Sequence, residues 1–402
     1  LQLRSMISQR ELFHSYIAQT SPEPMELDII KAEGVHLIDK NGKKYVDLIS
    51  GISVSNVGHC NPKVVKAIQD QSQKYMHLMV YGEYIQTPQN KLAEAICKEL
   101  PIALNNIYFV NSGSEAIEGA LKLAKRHTGR TEIISCKDAY HGSSHGALSI
   151  MGNEDFKNNF RPLLPHTRLI EYNNFEEVKL ISKNTAAIVI EAFQAEAGIV
   201  IPEKGYIKAI RDRCNEVGAL MIVDEIQTGF GRTGTLFGFQ HHQITPDIIT
   251  IAKGMGGGMP IGAFVSKKEI MEKLTHNPVL GHITTFGGNA VSCAASLACL
   301  EEIKENELTK NVQNLSSIFL TQLKHPAIVE TRGVGFFICV EFKNQAFNFG
   351  VIKKCIQKGV ITDWFLFNDK CLRISPPLNL QKETAIECCY KILEAVEEQN
   401  NL

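Results

Sequence analysis

Three short apolar runs constrain the fold of this 402-residue chain more than any other feature: AAIVI at 186–190, ALMIV at 219–223 and DIITIA at 247–252. They are rich in β-branched residues and little interrupted. Such runs suit strands buried on both faces, as in a parallel sheet. The segments 115–126, ahead of these runs, and 205–217, between the first two, have the spacing of amphipathic helices. Strands alternating with helices predict an α/β fold with right-handed crossovers. The length exceeds what one hydrophobic core supports, so a large domain with a smaller lobe is expected. We place the N-terminal segment of the smaller lobe at 1–57, the large domain at 58–290 and the C-terminal small domain at 291–402.

The two ends have another character. Residues 35–50 read as a hairpin turning at Asn41-Gly42. After Asn289 one long helical stretch is expected to about residue 324, then GVGFFICVEF (333–342) as a strand and a helix near 381–398. These features predict an α+β lobe built from both ends of the chain.

Bulk properties exclude several classes. Hydrophobic residues at 44% and charged residues at 21% exclude a disordered or fibrous protein. A formal net charge of −1 offers no electrostatic case for nucleic acid or an anionic membrane. No apolar run approaches the ~18–20 residues of a membrane span. Residues 1–20 lack the apolar centre of a signal peptide, and Met6 is the expected start residue because Leu1 is not a natural one. The 11 cysteines show no metal-type spacing; they read as reduced, mostly buried thiols of a cytoplasmic protein, with no metal site. His241 and His242 fall in an expected surface turn.

The ends of the apolar runs carry the chemistry. They stop at Glu191, at Asp224-Glu225 and at Lys253. An open parallel sheet binds its ligands at the carboxyl ends of its strands, so these ionisable groups converge there. A structural Asp–Lys ion pair is one explanation. Another is pyridoxal 5'-phosphate (PLP), whose ring nitrogen pairs with an aspartate and whose aldehyde condenses with a lysine. VNSGSEA (110–116) passes from strand to helix, a phosphate-binding arrangement and equally a capping box of Ser112 and Glu115. TTFGGN (284–289) is a small-residue turn rich in donors, or an ordinary loop. In AYHG (139–142), Tyr140 suits stacking on a flat ring and also suits core filling.

In order along the chain, GVHLIDKNGKKYVDLISGISV (34–54), GHCNPKVVKAI (58–68), NSGSEA, YHG, VDEIQTGFGRTG (223–234), IAKGMGGGMPIGA (251–263) and TFGGN resemble the class III aminotransferases. These are PLP enzymes of fold type I, a group that includes acetylornithine, ornithine and 4-aminobutyrate aminotransferases. The resemblance implies a mostly parallel, seven-stranded-type sheet in the large domain. It implies Lys253 as Schiff-base lysine and proton shuttle, and Asp224 as partner of the ring nitrogen. Gln227 is placed on the ring-hydroxyl side, Glu191 beside the cofactor, Tyr140 on the ring face, and Gly113 and Ser114 on the phosphate. Thr285 is placed on the phosphate of a neighbouring subunit's cofactor, which implies a homodimer with active sites at the interface. Arg373 in LRISPP resembles the arginine that grips a substrate carboxylate, and Glu196 in EAFQAEAG resembles the glutamate that masks it. The alternatives are a surface strand residue and a loop charge.

Four departures bear on specificity. Ala192 replaces a proline, and Ala195 a glycine; a left-handed backbone at 195 would make alanine costly, by about 1 kcal/mol. Ser143 and Ser144 stand where acetylornithine and ornithine enzymes have Arg-Thr, and Ile52 where ornithine aminotransferases of the animal type have tyrosine. The expected activity is transfer of an amino group, from a terminal amine, to 2-oxoglutarate or another 2-oxo acid. Rivals on the same fold are an aminomutase of the glutamate-1-semialdehyde type, a decarboxylase and a racemase. Such mutases lack the second glutamate of the Q-x-E segment, so Glu196 favours a transaminase. A non-catalytic binding protein on the same scaffold would have no use for Lys253 and Asp224. A dehydrogenase would use GMGGGMPIG (254–262), but that loop lacks the strand, helix and acidic residue of the dinucleotide fingerprint.

Overall fold

The computed structural model describes residues 7–401; Met6, the expected start, lies outside them. The strands are β1 (Ile29–Glu33), β2 (His36–Asp39), β3 (Lys44–Asp47), β4 (Asn106–Val110), β5 (Glu132–Cys136), β6 (Thr167–Ile170), β7 (Thr185–Glu191), β8 (Leu220–Asp224), β9 (Ile248–Ile251), β10 (Gly262–Ser266), β11 (Ile328–Val334), β12 (Phe337–Phe342), β13 (Val360–Ile361), β14 (Asp363–Phe365) and β15 (Asn368–Ile374).

The three apolar runs become β7, β8 and β9, and every residue of these strands is buried. They pair in parallel at the centre of a seven-stranded sheet of order β4-β10-β9-β8-β7-β5-β6. β10 alone runs antiparallel to its neighbours β4 and β9. The helices Gly113–Thr128 and Tyr206–Val217 form where their periodicity predicts, each turning an apolar face inward. Register aligns the strand ends: Glu191 stands beside Asp224, and Asp224 beside Thr250.

The hairpin at 35–50 forms as β2 and β3, with Asp39 Oδ1 accepting from the backbone N–H groups of Asn41 and Lys43 at the turn. Its sheet has the order β1-β2-β3-β13, so the N-terminal segment is tied to a strand from the far end of the chain. A third sheet, β11-β12-β15-β14, comes wholly from the C-terminal part.

Two expectations are corrected. The stretch after Asn289 is two helices, Ala290–Glu305 and Leu308–Gln322, because Glu307 adopts a left-handed conformation (φ 48°) and re-aims the chain. The new direction buries Leu308, Val312, Leu315 and Phe319 on one face. GVGFFICVEF is not one strand but the end of β11, a turn at Gly335 and β12. Gly335 has φ 59°, and a Cβ there would come within 2.4 Å of the Thr233 backbone, so only glycine fits. His241 and His242 lie in a 3-10 turn, where the His242 ring is partly buried and reaches the Ala192 carbonyl at 3.0 Å. Nine of the 11 cysteines are buried and all are free. Among the described residues no helix is long and apolar enough to cross a membrane.

Candidate active site

The carboxyl ends of β7 and β8, the segment after β9 and the start of the helix Gly113–Thr128 enclose a cavity of about 400 Å³. Gly113, Ser114, Tyr140, Glu191, Asp224, Gln227 and Lys253 all line it. Seven residues scattered over 140 positions of sequence thus meet at the edge where a parallel sheet binds its ligands.

Lys253 opens the 3-10 turn Lys253–Gly256 with φ 47°, a left-handed conformation that a non-glycine residue holds only under constraint. Burial pulls its pKa down to about 8, helped by Arg373 and opposed by Glu196 and Asp224. The Asp224 carboxylate is fixed at both oxygens. Oδ1 accepts from the Ile226 backbone N–H at 2.9 Å, and Oδ2 lies 2.7 Å from Nδ1 of the buried His141. Beside it, Glu191 Oε1 accepts from the Ala195 N–H at 3.0 Å while Oε2 has no partner among the described residues. Burial first, and then the charge of Asp224, push the Glu191 pKa well above the carboxylate range. Burial and the neighbouring Asp224 thus favour the neutral form of Glu191.

The helix Gly113–Thr128 begins at the cavity, with Ser112, Gly113 and Ser114 in its lining. Ser112 caps it, accepting from the Glu115 N–H at 3.2 Å. The reciprocal half of the expected capping box is missing: Glu115 Oε2 instead accepts from the backbone and side-chain nitrogens of Asn111, both at 2.8 Å. Gly142 has φ 126°, and a Cβ there would meet Ser114 Oγ at 2.2 Å, so glycine lets the 139–144 loop close on the helix start. Tyr140 is half-buried, with its hydroxyl 3.1 Å from that of Ser143. It is a cavity wall and not core filler.

Arg373 and Glu196 do not line this cavity but join it through Gln227. Gln227 Nε2 donates to Glu196 Oε1 at 2.9 Å, and Arg373 Nη2 donates to Glu196 Oε2 at 2.7 Å. Arg373 is buried on β15, not a surface strand residue, and its Nη1 has no partner among the described residues. Burial opposes ionisation of Glu196, but Arg373, the Leu366 N–H and Gln227 outweigh it and hold the pKa below the usual carboxylate range. Ala195 is not left-handed; the positive φ values of this turn are at Gly198 and Ile199, so alanine is accepted without strain. Ile52, in contrast, lies in a left-handed run from Ser50 to Ser53. Ser144 donates to Glu118 at 2.6 Å, and Ser143 leaves no guanidinium at this edge of the cavity.

Thr285 is the one predicted site residue that stands apart. It is exposed, and Tyr81 reaches its hydroxyl at 3.4 Å. His141 is the residue that the sequence analysis passed over; its adjacency to Tyr140 within AYHG was the available signal.

The residues present fit a phosphorylated, ring-bearing aldehyde. The helix start supplies donors for a phosphate, and Asp224 supplies a fixed carboxylate for a ring cation. Lys253 supplies an amine, and buried Gln227 Oε1 is an acceptor that still lacks a donor.

The chain matches the family Aminotransferase class-III over residues 16–396. It is 40% identical to the acetylornithine aminotransferase of Methanocaldococcus jannaschii over 370 residues, covering 88% of this chain and 89% of that one. It is 37% identical to ornithine aminotransferase 1 of Staphylococcus aureus, covering 92% and 94%. Among solved structures, the ornithine aminotransferase of Toxoplasma gondii crystallized with oxidized glutathione superposes with a TM-score of 0.91 at 28% identity, over 98% of this chain and 96% of that one. That structure has partial occupancy of PLP at its active site.

Proposed function

The chain belongs to the class III aminotransferases, and from that premise we propose that it holds PLP in the 400 Å³ cavity and moves a terminal amine from an acetylornithine- or ornithine-like donor to 2-oxoglutarate. One observation carries the reading: Lys253, Asp224 and the first residues of the helix Gly113–Thr128 line one cavity. When bound, PLP supplies an aldehyde that condenses with amines and a ring that accepts electrons from the bond being broken. Gly113 and Ser114 would hold its phosphate, Tyr140 would cover a ring face, and Gln227 would serve the ring hydroxyl. Asp224 would pair with the ring nitrogen, and His141 keeps its carboxylate in place. Lys253 would hold the aldehyde through its amine and, when free, would act as the base and acid that moves the donor's proton. A pKa of about 8 makes its free amine available near neutral pH.

The amino donor and the oxo acid use the site in turn. Glu196 neutralises Arg373 for a donor with no distal carboxylate and releases it for the distal carboxylate of 2-oxoglutarate. The unpartnered Nη1 of Arg373 supports this, being a buried donor that a carboxylate satisfies. Ser143 in place of arginine removes one anchor for an α-carboxylate and broadens the donors accepted.

A homodimer is part of the proposal. The segments 76–85 and 279–286 meet at the His77 and Phe286 rings, 5.0 Å apart. Met76, Ile85, Ile283 and Phe286 leave more than half their surface exposed there. Such a patch beside Thr285 suits a second copy of this chain.

The test is a donor screen. The protein loaded with PLP is mixed with N-acetylornithine, ornithine or other terminal amines plus 2-oxoglutarate, and glutamate is measured. Glutamate formation that Lys253→Ala abolishes is expected; no glutamate from any amine would remove the reading.

A further inference from the structure

Lys253 keeps a left-handed backbone, φ 47°, at the first position of the turn Lys253–Gly256. In a residue with a Cβ that conformation persists only where the surroundings hold it. The groups packed on the turn meet at Gly254. The Cys299 thiol, on the helix Ala290–Glu305, donates to the Gly254 carbonyl at 3.3 Å. The side-chain amide of Asn56 occupies the place of a Gly254 methyl: a Cβ there would stand 2.3 Å from Asn56 Nδ2 and 2.8 Å from its Cγ.

Asn56 is itself fixed. It is buried; Nδ2 donates to the Phe230 carbonyl at 2.8 Å, and Oδ1 accepts from Arg232 Nη2 at 2.6 Å. Its backbone carbonyl accepts from the Leu378 N–H at 2.7 Å. Arg232 is anchored in turn to the Phe336 and Pro376 carbonyls. Turning the amide aside would leave buried polar groups unpaired, at roughly 1–3 kcal/mol each. Two residues earlier, the same segment supplies Val54 to the cavity wall.

We propose that Asn56 is a positioning residue for Lys253: its anchored amide bears on Gly254 and keeps the turn, and with it the lysine amine, in one place at the cavity. This rests on Lys253 being the lysine that reacts with PLP. The effect passes through contact, and displacing a reacting group by about 1 Å costs up to about 10²-fold in rate. An Asn56 that only tied the N-terminal segment to residues 230–232 would affect stability and leave the amine alone.

The test pairs Asn56→Ala with Gly254→Ala. Gly254 is not left-handed, and apart from its chain neighbours the three atoms nearest an added methyl all belong to Asn56. Each variant should lower kcat of the holoenzyme about tenfold or more, with KM for 2-oxoglutarate changed less than about threefold. Covalent capture of PLP by the cofactor-free protein, trapped with borohydride and mapped to Lys253, should slow by a similar factor. The double variant gives the methyl the space of the amide, so its loss should match that of one substitution and not the product of the two. Wild-type kcat and capture rate in either folded single variant overturn the proposal, and so do losses that multiply in the double variant. Either single variant decides where the other does not fold. Lys253→Ala separates the two levels. If it still forms glutamate, the reading of Lys253 fails and this inference with it. If it is inactive while the Asn56 and Gly254 variants keep wild-type rates, only the role of Asn56 fails.

Discussion

Glu191 and Asp224 stand side by side at the ends of β7 and β8, and their surroundings give them opposite tasks. Glu191 has one backbone donor, an unpartnered oxygen and a pKa raised by burial and by Asp224, so its surroundings favour the neutral form. Glu191→Gln should therefore keep kcat within about tenfold, the effect of roughly one hydrogen bond. Asp224→Asn should bind PLP yet lose about 10³-fold or more in kcat, because an amide cannot hold a proton on the ring nitrogen. Similar losses from the two variants would contradict this division. His141→Ala removes one hydrogen bond to a charged group, so a loss of about 10–100-fold is expected, between those two. For Lys253 the check is direct labelling of the cofactor-free protein. The neutral amine is the nucleophile, so a pKa lowered to about 8 predicts that acylation rises with pH through about 8 instead of through the 10.5 of an ordinary lysine. Peptide mapping that shows Lys253 labelling in step with surface lysines would remove this account of its reactivity.

At the level of elements, the turn after β7 decides how Glu196 is presented. Ala195 is buried, its N–H holds Glu191, and its backbone is not left-handed. Ala195→Gly should accordingly destabilise the protein by about 1 kcal/mol, through unfolded-chain entropy and a lost buried methyl. Thermal melting is the measurement, and a rise in Tm would show that the turn is strained after all. The same logic locates the two errors in the C-terminal part. Asn306-Glu307 carries no glycine or proline, so the helix break has no strong local signal, and burial of Leu308, Val312, Leu315 and Phe319 decides it. In GVGFFICVEF the turn at Gly335 is set by its approach to the Thr233 backbone, about a hundred residues away.

At the scale of the whole molecule, the exposed apolar patch around Ile85 and Phe286 governs assembly in the proposed dimer. Phe286→Asp should convert the dimer to monomer in light scattering and remove activity, since Thr285 would no longer meet a neighbour. A fully active monomer would show that each chain completes its own site. We propose the division at 57 and 290 because all seven strands of the large sheet fall between those positions and β13 joins the two outer segments through β3.

Local geometry was legible in the sequence because helix and strand periods are properties of a few neighbouring residues. The unbroken runs at β7, β8 and β9 and the ionisable residues that end them could be read this way, and Lys253, Asp224, Gly113 and Tyr140 do line one cavity. What the sequence left undecided involves partners far apart in the chain. His141 meets Asp224 across 83 positions, Glu196 meets Arg373 across 177, and Asn56 meets Arg232 across 176. A carboxylate's role depends on what surrounds it once buried. Those surroundings come from chain packing and strand register, which no local pattern encodes.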